Sequence, residues 1–231
     1  ARNEAGTIEK IVQQIPEQGV FTEIIFIEGH SNDNTLAEIK RVVEKYKEKR
    51  RLKYFVQSSK GKGDAVRLGF EMAEGDILAI YDADMTVPAK DLEKFYIAIA
   101  DGKGEFINGS RLVYSLEDES MRSLNYLANK IFSYLFSWII GQPIKDTLCG
   151  TKVLWKKDYQ DIKENRKYFG DFDPFGDFDL LFGAAKLNLK IIEVPVRYKT
   201  REYGKTNISR FSHGWLLLKM VFFAMKKIKF K

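Results

Sequence analysis

The chain has 231 residues, 45% of them hydrophobic and 30% charged, with a formal net charge of +6. These values exclude a disordered chain and describe a globular one, long enough for one large domain or two small ones. The modest positive charge suits anionic ligands or an anionic membrane surface, and no nucleic-acid partner is expected. Cys149 stands alone, which rules out an intrachain disulfide and fits a reducing compartment. With His30 and His213 as the whole histidine complement, any metal must lean on carboxylates. No signal peptide is visible, and no uncharged apolar run reaches the ~18 residues of a spanning helix. The opening ARNE, without methionine, reads as the end of a strand begun upstream.

Taken in order, Ile8, Ile11, Val12 and Ile15 recur at helical spacing, and Pro16 closes that helix. Glu23 to Glu28 reads as a buried strand; GHSNDN follows as a polar loop, with Asn32 or Asp33 capping the next helix. That helix turns Leu36, Ile39, Val42, Val43 and Tyr46 inward. Leu52 to Gln57 is a strand, and SSKGKGD leads into a helix with Val66, Gly69, Phe70 and Ala73 inward. Ile77 to Tyr81 is an apolar run that ends abruptly in Asp82, Ala83 and Asp84, the end of a buried strand. A helix through Leu92, Phe95, Tyr96 and Ile99 and a strand from Glu105 to Ser110 complete an alternation that implies a parallel, twisted sheet with helices on both faces. Beyond it lie an apolar helix from Arg122 to Ile140, a short strand from Lys152 to Trp155, a helix from Asp177 to Leu187 and an edge strand from Leu189 to Arg197. Trp215 to Met225 followed by KKIKFK suits an interfacial helix on anionic head groups, and equally a terminal helix docked on the core.

Aspartate is rarely buried without a partner, so Asp82 and Asp84 belong where the strand leaves the sheet, which is also where open α/β sheets bind ligands. Two hard oxygen donors there suit Mg²⁺ or Mn²⁺ shared with substrate phosphates; an Asp-rich turn is an even match on the motif alone. Glu4 and Glu28 end neighbouring strands and converge on the same crevice. Lys60 and Lys62, set among Gly61 and Gly63, add cations for a diphosphate, although the spacing is neither a P-loop nor a dinucleotide fingerprint.

ARNEAGTI, EGHSNDNT, KGKGDAVRLG and DADMTVP occur in an order and spacing that resemble family 2 glycosyltransferases of the GT-A fold. DTLCGTK and REYGKTNISRF resemble the polyprenyl-phosphate branch, the dolichyl-phosphate mannose and glucose synthases and their bacterial relatives. The resemblance implies a GT-A domain over residues 1–210, with a nucleotide-sugar half (1–112) and an acceptor half (113–210), and an amphipathic membrane-associating helix at 211–231. It implies that Glu4 and Glu28 hold the base and ribose of the donor, beside Arg2, Lys60, Lys62 and Gly63. Asp82, Ala83 and Asp84 match the DxD element, with Asp84 the direct metal ligand. Arg111, Arg122 and Arg201 fall where the family places cations on phosphates, and Asp146 lies in the acceptor-side DxxxG element. Two positions depart from the pattern: Gly29 replaces the second acid of the usual DDxSxDGT loop, and Thr86 replaces the glutamine common in mannose synthases. GKGDAVR and DTLCGTK read closer to the glucose-type enzymes.

The expected reaction is direct displacement with inversion, from UDP-glucose or GDP-mannose to a polyprenyl or dolichyl phosphate, at the cytoplasmic face of a membrane. A phosphate monoester is already ionised at neutral pH and needs no general base. Arg122, Arg201 and Lys205 would orient it. Were the acceptor a sugar hydroxyl, Asp177 or Asp179 would be the natural base; with a lipid phosphate they position the acceptor or cap a helix. ILAIYDADMTV also fits the haloacid-dehalogenase-like phosphatases, with Asp82 as nucleophile, but three βα units precede it here. A non-catalytic nucleotide-sugar-binding module remains a further alternative.

Overall fold

The computed structural model describes residues 1–111, 123–168, 176–204 and 210–230, without the side chains of 123–129 and 210–213. Its first half alternates as expected: α1 (Ile8–Gln14), β1 (Glu23–Glu28), α2 (Thr35–Tyr46), β2 (Arg51–Val56), α3 (Lys62–Met72), β3 (Ile77–Ala79), α4 (Leu92–Ala100) and β4 (Phe106–Ser110). The second half contributes α5 (Ser123–Ile140), β5 (Lys152–Trp155), α6 (Lys156–Asn165), α7 (Phe178–Lys186), β6 (Ile191–Pro195) and α8 (Arg210–Ala224), which runs into a π-helical turn at Met225–Lys229. α2 starts one or two residues later than the loop composition implies. Asn34 occupies its N-cap, while Asp33 accepts the Thr35 amide at 2.9 Å from just outside.

β1 and β2 pair in parallel, and the other strands form a sheet in the order β3-β5-β4-β6. β5 is antiparallel to both neighbours, and β4 is parallel to β6, so β3, β4 and β6 share one direction and β5 alone is reversed. The Rossmann-like, open and mainly parallel sheet expected from the sequence is thus present, with β5 as its one reversed strand among the described residues. The reversal has a local cause. The segment after α5 climbs back to the carboxyl end of β4, where the Asn108 side-chain amide donates to the Asp146 carbonyl at 2.7 Å. β5 consequently starts at that end and runs back down, which brings Gly150 and Lys152 to the edge where β3 and β4 finish.

Successive strand residues point to opposite faces. Phe106 and Leu154 enter a core with Phe136, Tyr159, Phe182 and Met220 from α5 to α8, whereas Ile107 and Val153 enter one with Phe95 and Ile99 from α4. Helices thus cover both faces. α6, which the sequence reading passed over, is polar apart from Tyr159 and Ile162, one turn apart and both buried. α8 buries Leu217, Met220, Val221 and Ala224 and turns Trp215, Lys219 and Phe222 outward. It is docked on the core and apolar on its outer side as well.

A cavity of about 640 Å³ lies between β1 and β3, bordered by Ile24, Phe26, Phe70, Leu78 and Ile80. Ala1 also lines it, donating its amino group to the Ile27 carbonyl at 2.8 Å and accepting the Gly29 amide at 2.9 Å. Gly29 has a packing reason: a Cβ there would lie 3.3 Å from both the Ala1 carbonyl oxygen and the Arg2 Cβ.

Candidate active site

Past Ala79 the chain leaves the sheet in a tight turn that presents two carboxylates. Met85 takes a left-handed backbone (φ 55°), and the Tyr81 hydroxyl donates to the Val87 carbonyl at 2.8 Å. Thr86 donates its amide (3.1 Å) and hydroxyl (2.8 Å) to Asp84 Oδ1, fixing that carboxylate. Asn3 and His30 share the left-handed conformation (both φ 57°), so each of the three acid-bearing loops holds one strained non-glycine residue, a pattern that concentrates at functional sites.

Each aspartate meets a cation, and the two cations come from opposite halves of the chain. Lys62, at the start of α3, lies 2.8 Å from Asp82 Oδ1 and 3.1 Å from Oδ2. Arg201, on the loop after β6, donates to Asp84 Oδ2 at 3.0 Å and to Glu4 Oε1 at 2.6 Å. Tyr203 secures that loop: its ring covers Gly6, where a Cβ would come within 2.5 Å, and its hydroxyl donates to Asp33 at 3.3 Å. Burial opposes ionisation of Asp82, but the neighbouring Lys62 outweighs it and holds the carboxyl below its ordinary range. For Lys62 burial likewise disfavours charge, and Asp82 and Asp177 overcome it and raise its pKa. Burial pushes Glu4 upward against the pull of Arg201, and its Oε2 is buried without a hydrogen-bond partner among the described residues. A donor on a bound ligand would satisfy that oxygen.

Asp177 joins the first group. It is 4% exposed, with Oδ2 3.2 Å from the ammonium of Lys152 and 3.5 Å from that of Lys62. Two glycines make room: a Cβ on Gly150 would sit 1.9 Å from Asp82 Oδ2 and 2.4 Å from Lys62 Nζ, and one on Gly176 would sit 2.3 Å from the Gly63 amide nitrogen.

Other expected site residues have partners of their own. Asp146 holds Arg111 in a bidentate pair, 2.7 Å to Nε and 2.9 Å to NH2, and Arg111 also rests over the Tyr198 ring at 5.2 Å. Burial would raise the Asp146 pKa, but Arg111 outweighs it and lowers it. Glu28 turns onto its own loop, accepting the amides of His30 (3.1 Å) and Ser31 (2.6 Å), which overcome burial and lower its pKa. Asp179 faces Arg166 at 3.5 Å and Arg67 at 3.9 Å. Arg2 and Lys60 are exposed. Arg122 and Lys205 lie outside the described residues. Sequence reasoning missed Thr86 as the partner of Asp84; it placed Gly150 in the DxxxG element and Lys152 at the start of a strand without assigning either a role at the site, and the lysine opening an apolar strand, in TKVLW, was the available signal.

Asp82 and Asp84, two positions apart, are the hard oxygen donors that could hold a divalent cation in exchange for Lys62 and Arg201, and among the described residues no group of three or more His, Cys, Asp or Glu stands ready to hold a metal. An ion bound here would complete its coordination with water and diphosphate oxygens, as Mg²⁺ commonly does.

Residues 1–176 match the family model described as glycosyl transferase family 2. Among curated proteins, the chain is 29% identical over 220 residues to glycosyltransferase AglJ of Haloferax volcanii, covering 93% of this chain and 66% of that protein. It is 28% identical to dolichol-phosphate mannosyltransferase of Pyrococcus furiosus (89% and 56% covered) and 27% to dolichyl-phosphate beta-glucosyltransferase of Mus musculus (79% and 57%). The chain therefore spans between half and two thirds of the length of these relatives. Glucosyl-3-phosphoglycerate synthase from Mycobacterium tuberculosis, solved with Mn²⁺, uridine-diphosphate and phosphoglyceric acid, superposes with a TM-score of 0.69 at 16% identity, covering 100% of this chain and 77% of that one. That likeness shows the fold, which is the GT-A fold.

Proposed function

The chain belongs to glycosyl transferase family 2, and on that footing we propose that it moves a hexose from UDP-glucose or GDP-mannose to a polyprenyl or dolichyl phosphate at a membrane surface, with inversion. The observation that carries this reading is the pair of strand-end carboxylates, one countered by Lys62 from the donor half and the other by Arg201 from the acceptor half. Similarity to dolichyl-phosphate glucosyl- and mannosyltransferases supports the acceptor class.

The residues divide the work as follows. Glu4, with one oxygen fixed by Arg201 and the other without a hydrogen-bond partner among the described residues, offers the donor a hydrogen-bond acceptor. Lys62 and Arg201 place positive charge beside the departing diphosphate and the arriving phosphate, and arginine suits bidentate phosphate contacts. Mg²⁺ or Mn²⁺ held by Asp84 and Asp82 would supply charge neutralisation of the leaving nucleotide diphosphate. Asp177, engaged by the ammonium groups of both Lys62 and Lys152, supports a positioning role beside a phosphate acceptor.

The outer sides of α5 and α8 support a membrane surface as the workplace. Ile131, Tyr134 and Trp138 are exposed on α5, and Trp215, Phe222 and Phe230 on and after α8. Lys229 lies 5.0 Å from the Trp138 ring centre and Lys219 lies 5.7 Å from that of Trp215. Neither 123–140 nor 210–231 contains an acid, and aromatic residues mixed with lysines suit anionic head groups. No helix of the described residues is long and apolar enough to cross a membrane.

The test is a transfer assay with labelled UDP-glucose or GDP-mannose, Mn²⁺ or Mg²⁺, and polyprenyl phosphate in anionic vesicles. One donor is expected to yield label that extracts into organic solvent. Donor binding without turnover under any condition would instead favour a non-catalytic nucleotide-sugar-binding module.

A further inference from the structure

Lys152 is 0% exposed, a rare state for a lysine, which is almost never fully buried unless paired. Its ammonium donates to the Cys149 carbonyl at 2.6 Å and to Asp177 Oδ2 at 3.2 Å. The same Asp177 oxygen lies 3.5 Å from Lys62, whose nearer partner is Asp82 at 2.8 Å. Four charges thus alternate in a row, Lys152, Asp177, Lys62 and Asp82, running from the first residue of β5 to the end of β3. Lys62 is the one member with two carboxylate partners, and it leans toward Asp82.

We infer that Lys152 is a positioning residue: by occupying Asp177 it leaves the Lys62 ammonium on Asp82, and so sets how available Asp82 is to a divalent cation. The inference rests on the proposed metal site at Asp82 and Asp84. Its physical basis is competition between two carboxylates for one ammonium. Without Lys152, Asp177 is a buried carboxylate with Lys62 as its remaining ammonium, and leaving such a charge uncompensated is strongly unfavourable. Lys62 then moves toward Asp177 and releases Asp82. Without the Asp177 charge, Lys62 has no second carboxylate and settles more firmly on Asp82. The two changes, made at residues that touch each other, therefore affect metal binding with opposite signs.

Titration of Mn²⁺ alone, followed by electron paramagnetic resonance, reads this directly. Lys152→Met is expected to bind Mn²⁺ about tenfold tighter than the unaltered protein, and Asp177→Asn about tenfold weaker, the scale by which a neighbouring opposite charge changes a carboxylate's proton affinity. In a Lys62→Met background the Lys152 effect should vanish. Shifts of the same sign in both single variants, or a Lys152 effect that survives without Lys62, would overturn the inference, since loosened packing weakens binding in either variant. Should Lys152→Met fail to fold, Lys152→Met/Asp177→Asn removes both buried charges together and is expected to bind as weakly as Asp177→Asn; unaltered affinity would contradict the relay. An unaltered protein that binds no Mn²⁺ would count against the metal reading alone. The relay would then be judged by the ¹⁵N resonance of the Lys62 ammonium, expected to shift in Lys152→Met and overturned if it does not.

Discussion

Replacing Asp84 with alanine is expected to lower kcat/KM for hexosyl transfer by about a thousandfold, the scale seen when a main electrostatic contributor at a reacting centre is removed. Asp84 is the better fixed of the two strand-end carboxylates, with Thr86 on one oxygen and Arg201 on the other. Its loss removes an oxygen of the proposed metal site and also frees Arg201, which is left with Glu4. The fold should survive, because the side chain lies at the rim and belongs to no core cluster. Steady-state kinetics beside a thermal melt check both halves of the expectation. Near-normal turnover in a folded Asp84→Ala protein would remove Asp84 from the chemistry.

Gly150→Ala is the second large effect, and its mechanism is steric. The added methyl would overlap Asp82 Oδ2 and Lys62 Nζ, which are the mobile ends of side chains and not backbone. Both can move aside, so the cost in stability is small, yet moving aside breaks their register with each other. A displacement of about 1 Å in a catalytic constellation costs roughly a hundredfold in rate, and that is the fall in kcat expected here. The melting temperature should stay within about 4 °C of the unaltered protein, equivalent to about 1 kcal/mol for a domain of this size. A large loss of stability together with activity would show instead that Gly150 serves packing.

Much of this was legible in the sequence because strand and helix alternate with clear periodicity through the first half. Ile77 to Tyr81 ending in Asp82 and Asp84 marked the strand end, and the order of the acid-bearing loops marked the crevice. The reversed β5 was not legible, since its direction depends on where the segment before it docks, and Asp146 packs against β4 through contacts about 35 residues distant in the chain. The same distance effect hid the ion pairs. The motif marks Asp146 but not its pairing with Arg111, and Arg201 meets Glu4 across 197 positions. Lys152 was overlooked for a different reason: a lysine at the start of a strand reads as solvated, and here Asp177 and the Cys149 carbonyl take the place of water.

The most direct test of the central claim offers one enzyme two acceptors that differ in a single group, polyprenyl phosphate and the free polyprenol, with the active labelled donor and Mn²⁺. A nucleophile already ionised at neutral pH needs no base, and Asp177 lies between two lysines. Label should therefore pass to the phosphate and not to the alcohol, and transfer should persist in Asp177→Asn. Efficient transfer to the alcohol, abolished by Asp177→Asn, would contradict the account and make Asp177 the general base.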